Sequence, residues 1–273
     1  MQVDLFEIRS AIPMKYVSLS GLVMTVVNGT EVYATSELSL IRCPYTLNVK
    51  KETRNTLITA GIIAAVFVTA YASIIIYAGT TTPFYTVESG SMMHSDRSQI
   101  GIIDTGDMIL VRDPSKTNIT TYVEGHAAGY KKFGDYGDVI IYKNGSSTII
   151  HRAMVYLEYD SGDWTARGLG PVSGTLTCGD FSIDLTALSP GSGYITKGDN
   201  NIPNDGIWVT DDMIVAVAMH EVPWLGCIKL FLTNSNKSDI PMNSVWSLVI
   251  TIAAIILSVI CVSLLYDRLK KKR

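Results

Sequence analysis

The sequence predicts a mainly β ectodomain anchored by two transmembrane α-helices. Two observations carry that prediction. Residues 56–78 and 245–266 are apolar runs without a charged side chain, and the stretch between them consists of short β-branched runs separated by Gly, Pro, Asn and Asp clusters. At 1.5 Å per residue, an uncharged helix of this length reaches about 34 Å, enough to cross the hydrocarbon core of a bilayer.

Charge distribution gives the spans a direction. The net charge of −3 hides an asymmetry: residues 79–244 hold 11 basic and 19 acidic side chains, whereas residues 267–273 hold 5 basic and 1 acidic. Lys50, Lys51 and Arg54 precede the first span, and the basic tail follows the second. Basic flanks stay in the cytoplasm. Both termini are therefore expected inside, with residues 79–244 outside the plasma membrane or in the lumen of the endoplasmic reticulum. Trp246 and Tyr266 stand at the ends of the second span, where interfacial aromatics belong. An acidic ectodomain lacks the basic footprint that nucleic acid requires, so the expected partner is the lipid bilayer and not nucleic acid.

Residues 1–55 form a cytoplasmic N-terminal extension with strand-like alternation from Tyr16 to Leu40 and a hairpin signal at Val26-Val27-Asn28-Gly29. It suggests no function. Within the ectodomain, Met108–Val111, Val139–Tyr142, Thr148–His151 and Ile214–Val217 read as strands. Asn144-Gly145 reads as a type I′ hairpin turn. No sustained helical stripe appears, which predicts an antiparallel β domain. The glycosylation acceptor pattern occurs at Asn118, Asn144 and Asn236. Cys43, Cys178, Cys227 and Cys261 have neither CxxC spacing nor a paired His, so no metal site is predicted. Cys178 and Cys227 could pair in an oxidising compartment or remain buried thiols.

The chemistry-bearing stretch is Val87-Glu88-Ser89-Gly90-Ser91-Met92-Met93-His94, just beyond the first span. A serine in a Gly-containing turn is by itself only a turn residue. To act as a nucleophile it needs a base, and the base needs a group that fixes its tautomer. The chain has 4 histidines. His151 lies in an apolar strand, where it is either a satisfied core histidine or a functional one. His94 is too close to Ser91 for easy triad geometry, and His126 is placed in a loop. Asp199 and Asp205, in Gly198-Asp199-Asn200-Asn201-Ile202-Pro203-Asn204-Asp205-Gly206, could orient a histidine or form turns with their own backbone. The segment lacks the spacing of a calcium loop.

Together these segments resemble type I signal peptidases of the archaeal and endoplasmic-reticulum-type branch. The resemblance rests on Ser89-Gly90-Ser91-Met92, Gly106-Asp107 before Met108–Val111, and Gly137-Asp138 before Val139–Tyr142. It continues through Ile150-His151-Arg152 and Gly198-Asp199-Asn200-Asn201 with Asp205. The resemblance runs from the first span to about Gly226. It implies a signal-peptidase-like antiparallel β fold and a serine endopeptidase that needs no cofactor. Ser91 would be the nucleophile, His151 the general base where bacterial members have lysine, and Asp205 its orienting partner. Asp199 would be a second required aspartate. The backbone N–H of Ser91 and the hydroxyl of Ser89 would form the oxyanion hole. The implied substrates are signal-peptide-bearing preproteins cleaved after small residues at −1 and −3, with protein-export machinery or accessory subunits as possible partners. His94 departs from the family pattern, which has proline there. The competing reading is a non-catalytic, membrane-anchored β domain that binds a partner or assembles at a surface.

Overall fold

The computed structural model describes residues 15–19, 22–27, 30–32, 51–233 and 239–271. The hairpin read at Asn28-Gly29, the acceptor Asn236 and Cys43 lie outside those residues. The chain divides into two compact units, Met1–Ala64 and Ala65–Arg273. In the first, β1 (Lys15–Leu19), β2 (Leu22–Val27) and β3 (Thr30–Val32) form an antiparallel sheet in that order. Val27 pairs with Thr30, which leaves two residues to connect β2 and β3. Helix α1 (Lys51–Ala78) begins in this unit and ends in the second.

Gly79, at φ 73°, ends α1 by donating its N–H to the Ile75 carbonyl at 2.8 Å. A left-handed residue is the usual helix terminator, and glycine adopts it without a Cβ clash. The Ala78 carbonyl accepts from Asp113 N–H at 2.7 Å, which ties the helix end to the β domain.

That domain holds, in chain order, β4 (Phe84–Thr86), β5 (Met108–Arg112), α2 (Tyr122–Ala128), β6 (Lys131–Lys132), β7 (Asp135–Tyr136) and β8 (Val139–Asn144). The long strand β9 (Ser147–Asp160) follows, then β10 (Asp163–Ala166), β11 (Gly170–Val172), β12 (Thr175–Cys178), β13 (Phe181–Asp184), β14 (Ser192–Lys197) and β15 (Ile214–Val222). Two helices close the unit, α3 (Gly226–Thr233) and α4 (Met242–Lys271). The principal sheet has 8 strands in the order β11-β10-β9-β8-β15-β5-β4, with β14 also paired to β9. Every pairing among these strands is antiparallel.

All four β-branched runs lie in strands of this sheet. With neighbouring residues they build the core on both faces of the sheet: Val87, Met92, Ile103, Val111, Val139 and Ile141 form one cluster, and Ile140, Tyr142, Val209, Ile214 and Val217 another. A third cluster, around Leu157, Trp164, Phe181 and Ile183, fills the end formed by β9, β10 and the β12–β13 hairpin. Segments 53–78 and 242–266 are both helical and long and apolar enough to cross a membrane, with exposed side chains along their apolar windows.

Two local expectations are corrected, the loop at His126 and the turn type at Asn144-Gly145. His126 lies on α2 and not in a loop. That helix is only 7 residues long, too short for a periodic stripe, and is nucleated by a capping box between Thr121 and Glu124. A second short helix, α3, also escapes a search for sustained amphipathicity. In the β8–β9 hairpin Asn144 pairs with Ser147, so Gly145-Ser146 occupy the turn. Only Gly145 has positive φ, at 60°, the pattern of a type II′ turn and not type I′. Cys178, Cys227 and Cys261 are free thiols.

Candidate active site

Ser91 sits in a single 3-10 turn, Gly90–Met92, closed by the Met93 N–H donating to the Gly90 carbonyl at 3.2 Å. Met92 points the other way and is buried against the β5–β8 core, which fixes the turn while leaving Ser91 partly accessible. The turn is held from a second direction by the loop after β14. Asn200 N–H donates to the Ser91 carbonyl at 2.8 Å, and Asn200 Nδ2 donates to the Gly90 carbonyl at 3.0 Å.

His151 lies on β9 opposite Ile140 of β8 and is 8% exposed. Its Nε2 is 3.1 Å from Ser91 Oγ, and its Nδ1 is 2.7 Å from Asp205 Oδ2. Burial raises the Asp205 pKa most strongly. Hydrogen bonds from His151, Thr196 and Tyr142 outweigh it, and the carboxyl stays below its ordinary value. An ionised carboxylate only accepts, so Nδ1 carries the proton and Nε2 of the neutral ring accepts from the serine hydroxyl. Ser91, His151 and Asp205 are thus joined in one hydrogen-bonded chain.

Asp205 itself is oriented. Tyr142 Oη donates to its Oδ2 at 2.8 Å from the end of β8, and Thr196 Oγ1 donates to the same oxygen from β14. The β14–β9 register shifts between Ile195 and Thr196, a bulge at the residue whose hydroxyl reaches the site.

Asp199 has different partners. Its two oxygens accept from Arg152 Nε at 2.8 Å and Nη2 at 2.6 Å, a bidentate pair. Arg152 is fully buried, and its Nη1 also donates to the carbonyls of Lys132 and Gly137, each at 3.0 Å. His94 Nε2 lies 2.9 Å from Asp199 Oδ2. Burial works against ionisation of Asp199, but Arg152 and His94 hold its carboxyl below the ordinary range. The ambiguity between the two aspartates is thereby resolved in geometry: Asp205 contacts His151, and Asp199 anchors Arg152 and His94.

Gly198 explains why these segments lie so close. A Cβ built there would stand 2.6 Å from the Ser91 carbonyl oxygen, 2.8 Å from Asn201 Nδ2 and 2.9 Å from His151 Nε2. Ser89 Oγ lies 3.3 Å from Ser91 Oγ, a long hydroxyl–hydroxyl hydrogen bond in which either can donate.

Gly106-Asp107 and Gly137-Asp138 support the frame. Gly106, at φ 96°, packs its Cα against Cys227, while Asp107 accepts from the backbone N–H of Trp224 at 2.8 Å and of Asp104 at 2.9 Å. Asp138 accepts from Thr120 N–H and Tyr130 Oη, both at 2.9 Å, and from Lys132 Nζ at 3.1 Å. Tyr142 and Thr196 have no role assigned by the sequence, because only strand pairing brings them to the site, whereas Arg152 and Asn200 stand within the resembled motifs without a stated role. Among the described residues no group of His, Cys, Asp or Glu is placed to hold a metal ion. Comparison with protein-family models and with curated proteins found no match to this chain.

Proposed function

We propose that the protein is a membrane-bound serine endopeptidase that removes signal peptides from exported preproteins, as its resemblance to type I signal peptidases implies. One observation carries the reading: Ser91, His151 and Asp205 form a continuous hydrogen-bonded relay at 3.1 and 2.7 Å. Core packing does not require three such residues from separate segments to align around one imidazole.

In this reading, Ser91 Oγ attacks the scissile carbonyl carbon as its proton passes to His151 Nε2. Asp205 stabilises the imidazolium that results. The oxyanion is held by the Ser91 N–H and by the Ser89 hydroxyl, which rotates away from Ser91 Oγ; a donor of this kind contributes about 3 kcal/mol. His151 then protonates the leaving amine, the C–N bond breaks, and a serine ester remains. Water attacks that ester with His151 again as base, releasing the carboxylate and regenerating Ser91. Small side chains at −1 and −3 would suit a shallow groove that takes the substrate as an added strand.

The two apolar helices support placement in a bilayer, with the basic flanks favouring cytoplasmic termini. Only a short chain separates Ala78 from Ser91, so a substrate helix in the same membrane would present its cleavage site close to the nucleophile. The test is cleavage of a signal-peptide-bearing precursor by the detergent-solubilised protein. Ser91→Ala and His151→Ala should each abolish the product while thermal unfolding stays near wild type. Cleavage persisting in Ser91→Ala would overturn the assignment.

A further inference from the structure

Beside Ser91 lies a cleft of about 520 Å³, one side formed by the nucleophile turn with Asn200 and Asn201, the other by Ile240, Pro241 and Met242. The second side is the entry to α4. That helix is therefore not joined to the catalytic domain through a remote tether. Ser98 and Asn243 exchange two hydrogen bonds, Ser98 N–H to Asn243 Oδ1 at 3.1 Å and Asn243 Nδ2 to the Ser98 carbonyl at 2.9 Å. Ile240 packs with Cys227 and Leu230 of α3, and Val245 and Leu248 of α4 join the same cluster. The wall is held in place from two directions.

We propose that the first turn of α4 forms part of the substrate-binding cleft and that Met242 and Asp96 select the residues flanking the scissile bond; this rests on the endopeptidase reading. Met242 is 68% exposed and Met93 contributes a second thioether to the cleft. Unbranched methionines adapt to differently shaped apolar side chains. The charged side chains among the described lining residues are Asp96 and Asp239, both acidic. A substrate lying there meets an adaptable apolar wall and a negative rim. It is favoured when an apolar side chain faces Met242 and disfavoured when it carries an acidic residue close to the cut. Because the wall is the entry to an apolar helix, the same contact places the substrate's apolar segment beside α4.

The experiment uses the full chain in detergent micelles and a matched set of precursors that keep small residues at −1 and −3 and carry Lys, Gln or Glu at +1. Wild type should prefer Lys over Glu, and Asp96→Lys should reverse the order, each by about tenfold in kcat/KM. Met242→Trp should lower kcat/KM by about tenfold or more, mainly through KM, while the melting temperature stays near wild type, because the side chain is exposed. A second measurement does not depend on turnover: a photoreactive phenylalanine analogue replacing Met242, in the Ser91→Ala background, should cross-link the precursor, whereas the same analogue at Leu169 should not. Cleavage lost only in Ser91→Ala, with Met242→Trp and Asp96→Lys behaving as wild type, would overturn this proposal and leave the endopeptidase reading standing. Absence of cleavage by wild type together with absence of the cross-link at 242 would overturn both.

Discussion

His94 Nε2 and Asp199 Oδ2 meet at 2.9 Å although 105 residues separate them in the chain. The contact joins the turn that carries Ser91 to the loop that packs on His151, and His94 stands where the resembled family has proline. Hydrogen bonding to Asp199 raises the His94 pKa above its ordinary value, burial opposes this, and the Asp199 charge adds to the rise. A base whose folded pKa is raised adds stability that is complete below its unfolded value of about 6.5 and disappears as pH climbs through the folded value. His94→Gln should therefore destabilise the protein by about 1 kcal/mol at pH 6 and by less at pH 9. Chemical denaturation across that range reads the difference. A constant difference at every pH would show that the imidazolium form has no role.

The two aspartates should separate cleanly. Asp205→Asn keeps a side chain of the same size, so unfolding should change little while kcat falls by about 10³–10⁴, the usual effect of placing the wrong tautomer on a triad histidine. Asp199→Asn removes the carboxylate from a fully buried guanidinium, and leaving one member of a buried ion pair costs about 3–5 kcal/mol. Its activity should fall because folded protein is lost. Melting temperature and kcat per folded molecule, measured on both variants, distinguish the cases.

Gly198→Ala tests the close approach at the centre of the site. The new methyl would press on the Ser91 carbonyl, a backbone atom that cannot rotate away. Displacing the nucleophile by about 1 Å costs about 10²-fold in rate. A Gly198→Ala protein with wild-type kcat would mean that the loop relaxes outward without moving Ser91.

Glu221 gives a second pH prediction, in which stability again falls as pH rises but substitution relieves the loss. Burial, against a hydrogen bond from Gly101 and reinforced by the charges of Asp107 and Asp104, pushes its pKa up to about 7. Its Oε2 is buried with no hydrogen-bond partner among the described residues. An acid with a raised folded pKa binds its proton more tightly in the native state, so its contribution to stability falls as pH rises from about 4 through 7. Glu221→Gln should flatten that fall and leave the variant more stable than wild type at pH 8. Melting curves between pH 5 and pH 8 measure it. A steeper decline in the variant would contradict the assignment.

How much of this was legible in the sequence follows from how local each signal is. The two spans and the main strands were readable because hydropathy and β-branching act within a few residues. Helix α2 was missed because 7 residues make no periodic stripe, although Thr121 and Glu124 had the spacing of a capping box. At the site, spacing left Asp199 and Asp205 equivalent and allowed His151 to be a core histidine. The resemblance separated their roles, and the β8–β9–β14 register supplies the geometry. His94 was set aside as too near Ser91, a judgement about triads that said nothing of its partner on a distant loop. Tyr142 and Thr196 had no sequence signal at all, since a hydroxyl on an apolar strand becomes meaningful only when a carboxylate arrives opposite it.

The separation of the triad along the chain also sets when the site comes into being. Ser91 and His151 are 60 residues apart, and His151 and Asp205 a further 54. Contacts this distant form late in folding, after long loops have closed. A chain still under synthesis has Ser91 long before Asp205 exists, and even a chain extended past Asp205 lacks this arrangement until β14 has paired with β9. On the endopeptidase reading, activity would thus appear only once the sheet is complete.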